Sequence, residues 1–175
     1  MGDNLVGFIK AWLAQQTKAI YPPQWQGGWE RWAQGQVALF MEGTNGYQVL
    51  TEQNIYEDSD DAVDLEFRNP SAKVRSFCEL KCYGSANDDT PNTFINNILD
   101  DWAKVQEPLK AEYKASILWV IGLSQAVWRK SIEEERQKAK HAEFQKFKMD
   151  SVDALGQPGP YSTFDIWYRS YVNNN

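Results

Sequence analysis

A chain of 175 residues, 42 % apolar and 24 % charged, is long enough for one domain with its own hydrophobic core, and its composition excludes a low-complexity or disordered chain. Its formal charge of −6, from 18 Lys and Arg against 24 Asp and Glu, argues against a strongly basic face for tight duplex binding. No stretch approaches the ~20 apolar residues of a membrane span and the N-terminus lacks a signal-peptide pattern, so a cytoplasmic or nuclear protein is expected.

In chain order, Leu5, Phe8, Ile9, Trp12 and Leu13 recur at helical spacing and predict a helix over residues 3–19, capped by Asp3 or Asn4 and ended by Tyr21-Pro22-Pro23. A second helix fits residues 26–43, stopped by Gly43-Thr44-Asn45-Gly46. Three strands follow, from Tyr47 to about Thr51, over 62–67 and over 74–83. Thr90 before Pro91 opens a third helix to about residue 107, a cap followed by proline in the first turn. The continuously apolar run 116–123 reads as a central strand covered on both faces. Beyond it, residues 125–148 predict a long charged helix, either solvated or a phosphate-contacting face. Phe164, Trp167, Tyr168 and Tyr171 then fall at i, i+3, i+4 and i+7, an aromatic stripe that packs on the core or forms a homodimer or partner seam. The last three asparagines are expected to be disordered, and His141, in its charged surroundings, to be solvated.

The chemistry concentrates in the second and third strands. Asp64 and Glu66 share one side of Ala62–Phe67, and Phe77, Glu79, Lys81 and Tyr83 share one side of the next run. The turn formers in Arg68–Lys73 predict an antiparallel hairpin centred near Ser71 and Ala72. Asp64 and Glu79 then oppose each other, about 5 Å apart at Cβ. Two carboxylates so close repel, and a divalent cation relieves them; a lysine two residues on can then hold a nucleophilic water. The alternative reading of Lys81 is a structural ion pair with Glu79 or Asp64. Cys78 and Cys82, four apart on one strand, are too distant to be bridged, and with a single histidine they make no zinc ligand set.

An acid on one strand and acid–any–lysine on the next, in the order helix, three strands, helix, strand, resembles the PD-(D/E)XK nuclease superfamily. Asp64, Glu79 and Lys81 match its motif, while Val63 stands where the family name has proline. The resemblance covers about residues 26–123 of what reads as a single domain, 1–175. It implies an α/β, restriction-endonuclease-like αβββαβ core, a central mixed sheet flanked by helices; the N-terminal helix and a C-terminal helical extension over 124–175, read from the sequence pattern, lie outside it. It also implies a Mg²⁺- or Mn²⁺-dependent nuclease cutting DNA sooner than RNA. Asp64 and Glu79 would bind metal, with Glu30 on the first core helix, in competition with Glu42, completing the shell. Glu66 either approaches the site or pairs with Arg68 or Arg75. The rival expectation is a non-catalytic, protein-binding or regulatory domain on the same fold, favoured by the net acidity and the C-terminal stripe.

Overall fold

The computed structural model describes residues 5–15, 29–71, 74–84, 90–154 and 163–173. Their architecture is α/β, a six-stranded mixed sheet flanked by helices. The elements run α1 (Leu5–Ala14), α2 (Glu30–Asn45), β1 (Gln48–Gln53), β2 (Val63–Arg68), β3 (Ser76–Cys82), α3 (Pro91–Lys104), β4 (Ile117–Gln125), α4 (Arg129–Arg136), β5 (Lys148–Asp153) and β6 (Thr163–Val172). The sheet order is β1-β2-β3-β4-β6-β5. All neighbours are antiparallel except β3 and β4, which run parallel and are joined through α3.

Strand alternation sorts the core into two layers. Leu65, Phe67, Cys78, Leu80, Ile121, Leu123, Phe164 and Ile166 pack under α1 and α2. Phe77, Leu118, Val120 and Trp167 face the other way, under Phe94, Ile95 and Ile98 of α3 and the segment holding Phe144 and Phe147. The predicted punctuation marks these helices. Thr90 accepts the Thr93 N–H at 3.1 Å, with Pro91 in the first turn, and Gly46 closes α2 in the left-handed region (φ 66°), its N–H donated to Glu42 O. Asp3, Asn4, residues 16–28 and the loop 156–160 lie outside the described residues.

Gly122 sets the distance between α3 and the sheet. A Cβ built there would stand 2.4 Å from Ile98 Cδ1 and 2.8 Å from Phe94 Cζ, so only a residue without one lets the helix settle this close. Gly122→Ala is expected to cost about 1–3 kcal/mol through overpacking, read as a shift of the urea midpoint at unchanged slope.

Several expectations beyond residue 123 are corrected. There is no continuous helix over 125–148. A short turn (126–128) and α4 are followed by tight turns at 139–141 and 144–146. Ile132 is the buried residue of α4, and a helix so polar all round has little to hold it. Breaking the helix instead lets His141, Phe144 and Phe147 turn inward, where Phe144 packs on Trp167 at 5.6 Å between ring centroids. His141 is therefore 1 % exposed, with Nε2 3.2 Å from Glu135 Oε1 and 3.3 Å from Asn92 Oδ1.

The aromatic stripe is not helical either. It is β6, paired with β4 along nine residues, from Ile117 opposite Val172 to Gln125 opposite Phe164. Its rings divide between the faces: Phe164 and Tyr168 toward α1 and α2, Trp167 and Tyr171 toward α3. The C-terminal third is thus part of the sheet and not a helical extension. Asn173, expected to be disordered, is buried and donates its N–H to Ser116 O at 3.0 Å.

Candidate active site

The β2–β3 ladder pairs Leu65 with Cys78, Glu66 with Phe77 and Phe67 with Ser76, a register centred between residues 71 and 72. The paired residues end one step short of Asp64 and Glu79. There the ladder stops, and the Asp64 carboxylate accepts the Leu80 N–H at 2.7 Å. The opening lies toward the carboxyl end of β3, the end of a parallel strand pair where α/β folds place their sites.

Helices on both layers reach this end. Trp29 donates its indole N–H to Tyr83 O at 3.1 Å, which pins the start of α2 beside the end of β3. Glu30, the first residue of α2, accepts the Cys82 N–H at 3.2 Å and lies 3.3 Å from Lys81 Nζ. From the other layer, α3 delivers Asp101, whose Oδ2 is 3.5 Å from Lys81 Nζ, and Lys104, whose Nζ is 2.9 Å from Glu79 Oε1. Lys104 also donates to Ala62 O at 2.7 Å and lies over the Tyr56 ring, and the Tyr56 hydroxyl donates to Glu79 Oε1 at 3.4 Å. An open cleft of about 350 Å³ is lined by Glu30, Lys81, Asn97, Asp100 and Asp101, while Glu79 lies buried behind it.

Four carboxylates thus surround two ammonium groups in a half-dry environment. Burial pushes the Glu79 carboxyl up, Asp101 and Asp64 push it further, and Lys104 pulls back, leaving it at about 8. Asp101 rises to about 6, chiefly by burial, against the pull of Lys81. Glu30 is raised for the same first reason. Burial alone would lower the Lys81 ammonium, but Asp101, Glu30, Asp64 and Glu79 outweigh it and hold Lys81 protonated above the ordinary lysine range. Lys81 is therefore a fixed positive charge and hydrogen-bond donor, not a base at neutral pH.

Among the residues expected from sequence, Asp64, Glu79, Lys81 and Glu30 are brought to one place. Lys81 pairs with Glu30 and Asp101, not with Glu79 or Asp64. Glu42 is exposed at the far end of α2, where it accepts the Val49 N–H. Glu66 is fully buried and held by Arg68 at 2.6 Å and Arg75 at 3.4 Å, as an ion pair away from the cleft. Sequence reasoning missed Asp101, Lys104 and Tyr56. The available signal was Asp101 itself, an acid three residues from Ile98 on the buried stripe of α3.

The donor set suits a hard divalent cation, since all its side-chain acceptors are carboxylate oxygens. Asp101 is 9 % exposed, and no hydrogen bond reaches its Oδ2 among the described residues. As the side chains stand, no three described His, Cys, Asp or Glu side chains already converge on one point, because Lys81 and Lys104 lie between the acids. Among the described residues no helix is long and apolar enough to cross a membrane.

Compared with known proteins, the chain matches no family model, no curated protein and no solved structure.

Proposed function

We propose that this chain is a Mg²⁺- or Mn²⁺-dependent nuclease of the PD-(D/E)XK type, hydrolysing phosphodiester bonds in DNA sooner than in RNA. The observation that carries the reading is the meeting of Glu30, Asp64, Glu79 and Lys81 at the end of β3. These residues are scattered over 52 positions of the sequence, and Asp64, Glu79 and Lys81 among them match the motif. The element order from α2 to β4, helix, three strands, helix, strand, supports the restriction-endonuclease-like form of the fold.

Bound between Asp64 and Glu79, the cation would supply Lewis acidity toward the scissile phosphate and lower the pKa of a water. The remaining work belongs to the chain. Lys81, charged at neutral pH, donates a hydrogen bond that orients the attacking water or meets the negative charge growing on the phosphate. Glu30 and Asp101 hold the Lys81 ammonium from opposite layers and fix its direction. Lys104 and Tyr56 hold Glu79 in the same way.

A second reading is a non-catalytic binding domain on this fold. It is favoured by the net charge of −6 and by carboxylates that already have lysine partners. The two readings separate in a cleavage assay on labelled single-stranded DNA, double-stranded DNA and RNA, with Mg²⁺, Mn²⁺ or EDTA. The nuclease reading expects cutting of at least one substrate that EDTA abolishes. No cutting under any condition favours the binding domain.

A further inference from the structure

All six arginines of the chain lie among the described residues, and five of them have carboxylate partners. Arg68 and Arg75 hold Glu66, Arg129 holds Asp165, Arg136 holds Glu133 and Arg169 holds Glu143. Arg31 is the exception. It is exposed, and no hydrogen bond, ion pair or ring contact reaches it among the described residues.

Its place makes the exception informative. Arg31 is the second residue of α2, directly after Glu30, whose carboxylate meets Lys81 Nζ at 3.3 Å and the Cys82 N–H at 3.2 Å. The first turn of a helix carries the positive end of its dipole, where a cation is unfavourable. With no partner to offset this, Arg31 does not serve the stability of α2. The cleft walls, for their part, offer a polyanion little. Glu30, Asp100 and Asp101 line the cleft against one ammonium, Lys81, already held between Glu30 and Asp101. A nucleic-acid strand that presents its scissile phosphate to Lys81 therefore needs a cation at the rim for a neighbouring phosphate. A guanidinium suits that task, because its paired N–H groups match two phosphate oxygens.

Resting on the nuclease reading above, we propose that Arg31 is a substrate-binding residue whose guanidinium holds a backbone phosphate next to the scissile one. A contact of this kind positions the strand and does not read its sequence.

The test compares wild type, Arg31→Gln, Arg31→Lys and Lys114→Gln. Binding of fluorescently labelled DNA and RNA oligonucleotides is followed by anisotropy in EDTA over a series of salt concentrations, and cleavage is followed with Mg²⁺. Lys114 is the control, an exposed lysine without a partner among the described residues, placed before the amino end of β4 and away from the site. Arg31→Gln is expected to weaken binding about tenfold and to make the salt dependence of log Kd shallower by about 0.7–0.9. In cleavage its KM rises by about the same factor while kcat holds, the sign of lost uniform binding. Arg31→Lys keeps the charge and recovers most of the loss, and Lys114→Gln matches wild type. The melting temperature of Arg31→Gln should not fall, since the variant removes no contact. An Arg31→Gln that binds and cuts no worse than Lys114→Gln overturns the role of Arg31 and leaves the nuclease reading standing. Binding that depends on Arg31 without any cutting keeps the phosphate contact and overturns the nuclease reading. A wild type that neither binds nor cuts overturns both.

Discussion

Lys81→Ala is expected to lower the rate of phosphodiester cleavage by about 10²–10³-fold, the loss typical of removing one preorganised donor to developing charge. The effect should fall on kcat more than on KM, because the ammonium acts at the reacting phosphate and not along the bound strand. Mn²⁺ binding should persist, or tighten, since the variant removes a positive charge and none of the acids. Glu30→Gln tests the same idea indirectly. It leaves Lys81 in place but removes the charge 3.3 Å from its Nζ, so a smaller loss, about tenfold, is expected. A Lys81→Ala enzyme that cuts at the wild-type rate would remove the lysine from the mechanism and reduce it to a partner of Glu30 and Asp101.

The free protein is expected to lose stability as the pH rises from 5 to 9, opposite to the trend set by ordinary salt-bridged carboxylates. Glu79 lies at about 8 and Asp101 at about 6 in the folded chain, both above the values near 4 of an unfolded one. Between the unfolded and folded values the native state binds more protons than the unfolded state, so the slope of stability with pH is negative. The contribution is complete below pH 4 and is lost as the pH passes about 6 and then about 8. Paired acids with the opposite sign, such as Glu135, held down to about 2 chiefly by Lys138, titrate below this window. The net loss is on the order of 2–4 kcal/mol, or about 5–10 °C in melting temperature for a domain of this size. Glu79→Gln should flatten the upper part of the curve. Saturating Mg²⁺ or Mn²⁺ should restore the wild type at pH 8–9, because a cation replaces the lost protons. A melting temperature that is flat or rising from pH 5 to 9, in wild type and Glu79→Gln alike, would contradict the electrostatics of the site.

These expectations rest on a hairpin that was legible in the sequence. Turn formers between two alternating runs mark its centre, and the pairing of Leu65 with Cys78 and Glu66 with Phe77 agrees with it. Asp101 and Lys104 were not legible in that way. On a helical projection they border the stripe of Ile98 and Trp102, and a charged residue bordering an apolar stripe ordinarily faces water. Which way they face depends on how α3 packs on the sheet, where its Phe94 and Ile98 lie against Gly122, some twenty residues later. The C-terminal third was misread because its apolar residues satisfy two periods at once. Phe164, Trp167, Tyr168 and Tyr171 fit a helix, yet Phe164, Ile166 and Tyr168 fit one face of a strand equally well. A nine-residue partner in β4, invisible to local pattern, settles it as strand. His141 was misplaced for a related reason. Its sequence neighbours are charged, but its spatial neighbours include Asn92 at the start of α3.

The measurement that bears most directly on the central claim is cleavage of labelled DNA and RNA by the wild type beside Asp64→Asn, each with Mg²⁺ and with EDTA. The account predicts that wild-type cutting requires the cation, stops with EDTA, and disappears in Asp64→Asn. Cutting that survives EDTA, or that Asp64→Asn performs as fast as wild type, would contradict it, as would a wild type that cuts none of the substrates.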